Sequence, residues 1–174
     1  MNILDLLRAD GSLVINKELA RNIKKAYNKK YYHPDNQTYG NGGQTSLAMA
    51  LYFELVEKQN EQEVLNSLVE EIRHHGNHFD AGVIGVKCLI NVLTEHGLTD
   101  LAYEMITQKN YPGYGDWIER GATTLWQTWD GSMSRNHIMF GSVDEWFFEA
   151  LAGIKKDPDN PGFKHFFLEP QLPE

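Results

Sequence analysis

Apolar residues recur along this chain at helical spacing, and turn residues interrupt them at intervals. The first seventeen residues are poorly patterned, with Asp10-Gly11-Ser12 breaking a short apolar segment. From Lys17 through Tyr27 the positions Leu19, Ile23 and Tyr27 fall four apart, which predicts one face of a helix. His33-Pro34-Asp35-Asn36 ends it, because a residue before proline avoids the α region and Asp and Asn favour turns. Tyr39-Gly40-Asn41-Gly42-Gly43 continues that loop. The next helix starts near Gln44, with Leu47, Leu51 and Leu55 on one side and Ala48, Ala50 and Phe53 keeping the remainder apolar. A helix so apolar belongs inside an assembly of helices.

Asn60-Glu61-Gln62-Glu63 reads as a capping box, followed by the stripe Val64, Leu65, Leu68, Val69 and Ile72 and closed by His74-His75-Gly76. The largely apolar run Val83 to Glu95 predicts another inner helix, and Thr99 is placed to cap a further one from Asp100 to Gln108. Apolar helices thus alternate with amphipathic ones, which predicts an inner and an outer layer. Ser142-Val143-Asp144-Glu145 is a second capping box, opening a helix through Ile154 that carries Trp146, Phe147, Phe148 and Leu151. After the turn cluster Asp157 to Gly162, Phe163 to Leu168 reads as a strand. An isolated strand cannot satisfy its backbone groups. We therefore expect residues 157–174 to begin a β-domain that the chain leaves incomplete, after a helical domain over 1–156.

Composition narrows the function. With 174 residues and 41% hydrophobic content the chain can bury a core, and a net charge of -8 argues against nucleic acid as a partner. The basic run Arg21 to Lys30 reads as a solvated helix face. No segment approaches the roughly 20 apolar residues of a membrane span, so no membrane partner is expected. The N-terminus shows no secretory pattern, and compartment is left open. Cys88 has no partner for a disulfide and sits in an apolar run. His74, His75 and His78 match no metal spacing and read as chance clustering at a helix end. The glycine-rich loop lacks the Lys-Ser/Thr of a phosphate loop and reads as a tight turn into a helix. Neither a metal nor another cofactor is expected.

The stretch richest in chemistry runs from Asp116-Trp117-Ile118-Glu119 through Trp126-Gln127-Thr128-Trp129-Asp130 to Ser134-Arg135-Asn136-His137. Sugars require this mixture, since their C–H faces stack on tryptophan and their hydroxyls need directional partners. Asp116, Glu119 and Asp130 are the local acids for general acid or base work. Packing aromatics and solvated loop residues would produce the same composition.

Three motifs, in order, carry a resemblance. Tyr39-Gly40-Asn41-Gly42-Gly43-Gln44-Thr45, Gly121-Ala122-Thr123-Thr124-Leu125-Trp126-Gln127-Thr128-Trp129-Asp130 and Ser134-Arg135-Asn136-His137-Ile138-Met139-Phe140-Gly141-Ser142 resemble glycoside hydrolase family 78, the α-L-rhamnosidases. Asp100 to Tyr103, Tyr111-Pro112 and Pro161 to Phe166 resemble it too, so the likeness runs from about Glu18 to the end. The resemblance implies an all-α, partial (α/α)6 six-hairpin toroid with one C-terminal strand from a truncated β-sandwich. It implies inverting hydrolysis of terminal α-L-rhamnosyl residues, with a rhamnose-containing carbohydrate as partner.

Inversion needs an acid to protonate the leaving oxygen and a base to activate water. The family's acid motif is not found here, so the chain by itself is expected to be inactive. Gln127 occupies the family's base slot, where Trp-Glu-x-Trp is common, and an amide cannot accept the proton. Either Glu119 or Asp130 takes that role, or the protein binds without cleaving. The resemblance gives His137, Asn136, Trp126 and Trp129 as substrate-binding residues, with one tryptophan expected to pack inward. Half a barrel also exposes the faces its missing helices would cover, so self-association is expected.

Overall fold

The computed structural model describes residues 12–160 and 162–173, with side chains from Lys17 onward. Helix α1 (Ser12–Tyr31) begins before the expected Lys17, and the Asp10-Gly11 break lies outside the described residues, as does Pro161. Its apolar stripe is used unevenly. Tyr27 stacks on Tyr39 with ring centroids 5.6 Å apart, while Leu19 and Ile23 are more than half exposed. Polar groups dock the helix instead. Lys24 Nζ donates to the carbonyls of Glu54 and Val56, each at 2.8 Å, and Asn28 Nδ2 donates to Leu55 O at 2.7 Å. Lys24 thereby departs from the solvated face expected of the basic run, because the carbonyls at the end of the next helix need donors. Lys25, Lys29 and Lys30 stay exposed.

Pro34 ends the helical path as expected, yet the flanks pair. Strand β1 (Tyr32–His33) runs antiparallel to β2 (Thr38–Tyr39), with Tyr32 opposite Tyr39, so a short hairpin stands where a loop was expected. Tyr39 is fully buried and donates its hydroxyl to Asn28 Oδ1. Burial pushes its phenol up to about 12. Asn41 Oδ1 then accepts from Gly43 N at 3.1 Å and Ser46 Oγ at 2.7 Å, folding the glycine-rich turn onto the start of α2 (Gln44–Tyr52). Leu47, Ala48, Ala50 and Leu51 of α2 are buried. The helix stops before Phe53 and Leu55, because Glu54 adopts φ 53° and Leu55 N donates back to Ala50 O at 2.9 Å. Phe53 is left more than half exposed.

Helix α3 (Glu61–His74) buries Val64, Leu65, Leu68 and Ile72. The expected box at Asn60 does not form: the 3-10 turn Lys58–Asn60 already leads into the helix, and the Asn60 side chain caps nothing. Helix α4 (Val83–Glu95) has the expected bounds and is buried along most of its length. In α5 (Thr99–Thr107) Thr99 lies inside the helix, its hydroxyl donating to Gln171 Oε1 at 3.0 Å rather than capping. Helix α2 packs on both α3 and α4, and α4 packs on α5, so the more apolar helices are enclosed by amphipathic ones. A β-carbon at Gly85 would collide with Thr45 Oγ1, so the α2–α4 approach depends on that glycine.

The aromatic stretch contains α6 (Tyr114–Glu119) and the 3-10 turn Ile138–Gly141, which leads into α7 (Ser142–Trp146). The second capping box also fails, since Ser142 Oγ is buried without a partner. Helix α7 continues only as a π turn to Leu151 and does not reach Ile154. Gly153, at φ 69°, redirects the chain into β3 (Ile154–Lys156), which pairs antiparallel with β4 (Phe166–Leu168). The strand expected to stand alone therefore finds its partner in Ile154–Lys156, of which only Ile154 was expected in the preceding helix. Trp146 is buried and donates to Thr94 Oγ1 at 2.6 Å, fixing α7 on α4, while Phe148 is largely exposed.

Candidate sugar-binding cleft

A cleft of about 750 Å³ opens between the loop that follows α3 and the turn-rich segment before the Ile138 turn. His75, His78, Asp80 and Gly82 line one side and Gln127, Trp129, Asp130 and Ser132 the other, with Tyr111 and Phe140 between. Trp129 joins the two sides. Its indole N–H donates to Ala81 O at 2.8 Å, its ring stacks on Phe79 at 5.4 Å and 11°, and its carbonyl accepts from Trp117 Nε1 at 2.8 Å. Phe140 packs against the same ring at 4.3 Å. Trp129 is thus a half-buried ring fixed in the cleft wall among Phe79, Tyr114, Trp117 and Phe140.

Trp126 is turned the other way and is buried. The guanidinium groups of Arg120 and Arg135 sit on its ring, 4.7 and 4.6 Å from the centroid, which is cation–π geometry. The same arginines tie down the loop: Arg120 Nη2 donates to Asp130 O at 2.7 Å, and Arg135 Nε to Gly131 O at 3.2 Å. Gly131, at φ 71°, lies so close to the indole that a β-carbon would overlap it. Of the two tryptophans, Trp126 is buried away from the cleft and Trp129 is the half-buried one that lines it.

Gln127 lines the cleft. Its backbone N–H donates to Ser134 O at 2.8 Å, and its side-chain amide has no hydrogen-bond partner among the described residues. Asp130 is also in the cleft, but its Oδ1 accepts from Ser132 N at 3.1 Å and Ser132 Oγ at 2.8 Å. The Thr128 hydroxyl first, and then Ser132, hold its carboxyl down to about 2. A carboxylate stabilised in this way is a weak base near neutral pH.

The other expected site residues lie apart from this hollow. Glu119 lines a separate, mostly apolar groove beside Trp117 and Leu125 and sits 3.9 Å from Lys109 Nζ. Asp116 is paired with Arg120 at 3.1 Å. His137 caps the Ile138 turn, its Nδ1 accepting from Met139 N at 3.3 Å, and Asn136 is exposed with its N–H donating to Ser134 Oγ at 3.3 Å. The fold therefore brings Gln127, Trp129 and Asp130 together and places Trp126, Glu119, Asn136 and His137 elsewhere.

Sequence reasoning missed the opposite wall. His75 meets the His74 ring edge-on at 5.6 Å and also faces two carboxylates: its Nδ1 lies 3.5 Å from Glu71 Oε1 and its Nε2 lies 3.6 Å from Asp80 Oδ2. One ligand-capable atom from each of the three falls within 4.8 Å of the others. The backbone there is held by Gln44, which is fully buried: its Nε2 donates to His78 O and its Oε1 accepts from Asp80 N, both at 2.9 Å. His75 directly follows α3, four residues after Glu71, a signal open to reading, whereas the tie from Gln44 to Asp80 spans 36 residues and has no local signature.

The α-L-rhamnosidase of Alteromonas sp. (strain LOR) is 32% identical over 164 residues, 87% of this chain and 18% of that protein. The solved α-L-rhamnosidase from Dictyoglumus thermophilum shares 39% identity at a TM-score of 0.80, over 88% of this chain and 18% of that one. The Streptomyces avermitilis α-L-rhamnosidase, solved complexed with L-rhamnose, superposes at a TM-score of 0.88 with 27% identity, over 98% of this chain and 17% of that one. The chain thus spans less than a fifth of the length of these relatives. Residues 15–151 match the bacterial α-L-rhamnosidase six-hairpin glycosidase domain, and the chain belongs to that family, as a mostly helical part of the six-hairpin toroid.

Proposed function

We propose that this chain supplies part of the rhamnose-binding cleft of an inverting α-L-rhamnosidase, acting on terminal α-L-rhamnosyl residues of glycans or glycosides. One observation carries the reading: Gln127, from the segment that resembles the family's base motif, shares a hollow with the fixed face of Trp129 and the carboxylate of Asp130. An indole face receives the C–H side of a pyranose, and amide and carboxylate groups receive its hydroxyls. The complex of the S. avermitilis relative with L-rhamnose supports that choice of sugar.

The same geometry limits the chemistry of these residues. The Gln127 amide can orient a water or a hydroxyl but cannot take its proton. Asp130 is a weakened base, held down by its Thr128 and Ser132 donors, and Glu119 lies in another groove. Among the three expected catalytic positions, none acts as an effective base, so binding without turnover is the behaviour proposed for the chain alone. This favours the carbohydrate-binding alternative over catalysis by these residues. Titration of the purified chain with L-rhamnose, alongside an assay on an aryl α-L-rhamnoside, tests it: saturable binding without hydrolysis is expected. Absence of binding removes the sugar assignment, and hydrolysis lost in Asp130→Asn or Glu119→Gln removes the assignment of those carboxylates as bystanders.

Two further expectations belong to the same reading. Residues 157–174, including β4, lead from the helical domain towards a β-domain. The exposed side chains of Leu19, Ile23, Ile118, Ile138 and Phe148 form surface through which copies of the chain associate.

A further inference from the structure

The strongest feature left unused by that reading is the wall built from residues 78–81. A fully buried glutamine is destabilising unless both ends of its amide are paired, and Gln44 spends both on this one short segment. Trp129 adds a third bond, to Ala81 O. Three side-chain bonds from distant parts of the chain thus fix the backbone on either side of Asp80. Phe79 and Ala81 on either side are buried in the core, whereas the Asp80 side chain between them is largely exposed and lines the cleft. Fixing a loop before ligand arrives removes an ordering cost from binding.

The two aspartates of the cleft differ in what they can offer. Asp130 has one oxygen committed to Ser132. Beside Asp80 stand His75, at 3.6 Å and beyond hydrogen-bond distance, and the Glu71 carboxylate, which shares with them a 4.8 Å cluster. Neither Asp80 carboxyl oxygen accepts a hydrogen bond from the described residues, and a carboxylate is an acceptor for vicinal hydroxyls. Resting on the sugar-binding reading above, we infer that Asp80 is a sugar-binding residue, its carboxylate accepting hydrogen bonds from pyranose hydroxyls in the same cleft as Gln127 and Trp129.

The test is L-rhamnose titration of the full 174-residue chain, in EDTA, for the unsubstituted protein, Asp80→Asn and the exposed turn variant Asp35→Asn. Asp80→Asn keeps the backbone N–H that Gln44 accepts, so amide spectra should match those of the parent. Loss of a charge-assisted acceptor should weaken affinity by about tenfold or more, with Asp35→Asn unchanged. Binding by Asp80→Asn within about twofold of the parent overturns the inference and leaves the cleft assignment standing. No saturable binding by the parent overturns both. Affinity that appears only when a divalent cation replaces EDTA overturns direct acceptance by Asp80 in favour of a metal held with Glu71 and His75.

Discussion

The indole N–H of Trp129 lies 2.8 Å from the carbonyl oxygen of Ala81, 48 residues earlier in the chain. This bond joins the two loops that form the cleft, so the Trp129 face and the Asp80 wall keep a fixed relation. Trp129→Phe retains most of the aromatic surface but leaves Ala81 O without its donor. A stability loss of about 1–3 kcal/mol is expected by urea denaturation. An unchanged midpoint would show that water replaces the indole freely.

Gln44 makes the larger demand on the fold. Gln44→Leu is close in volume but strips partners from His78 O and Asp80 N, and each unpaired buried group costs about 1–3 kcal/mol. Hydrogen exchange at the Asp80 amide should accelerate well beyond that of amides in the middle of α4. Equal protection of that amide in parent and variant would mean that the loop is held by something else.

Acid should act on Asp130 late. Its folded pKa is depressed to about 2 by the Thr128 and Ser132 hydroxyl and amide donors. The stability it contributes is therefore present above the ordinary aspartate value, about 3.9, and is lost as pH falls towards 2. The carboxyl 13C shift of Asp130 should titrate near that lower limit, and Thr128→Val should move the midpoint upward. A midpoint in the ordinary aspartate range would remove the argument that Asp130 is too weak a base.

Gly131 is a steric requirement of the Trp126 post. It combines φ 71° with a position against the indole ring, so Gly131→Ala must both strain the backbone and displace Trp126 from between its two arginines. A loss of about 1–3 kcal/mol is expected, together with a changed tryptophan fluorescence spectrum. Wild-type stability and spectrum would show that the loop tolerates a side chain there.

Exposed apolar residues on the helical body should show in solution. Leu19, Ile23, Ile118, Ile138 and Phe148 are each more than half exposed. Sedimentation equilibrium should give a weight-average mass that rises with concentration, and Ile118→Lys with Ile138→Lys should reduce the rise. A monomer at all concentrations would exclude association through these faces.

Helix identity was legible because burial on one face or on most faces leaves a periodic imprint: α4 has the bounds its apolar run predicts, and α2 begins at Gln44. Termini were less legible. Neither Asn60 nor Ser142 caps as its motif suggests, because the preceding turn already supplies helical backbone at both places. The helix expected to run to Ile154 gives way to a strand, because β4 offers Ile154 to Lys156 a ladder that local propensity cannot foresee.

For the cleft, residue order alone marked the segment from Trp126 to Asp130, with its aromatic and polar mixture and its family likeness. Which indole faces outward was decided by tertiary contacts: two guanidinium groups claim Trp126, and Ala81 O claims Trp129. The separation of Glu119 from Gln127 and the arrival of Asp80 on the facing wall of the cleft were decided the same way. Local sequence specifies periodicity and chemistry, because these depend on neighbours along the chain. A cleft is formed by distant segments, and its membership follows from which buried hydrogen bonds and ring contacts can all be satisfied at once.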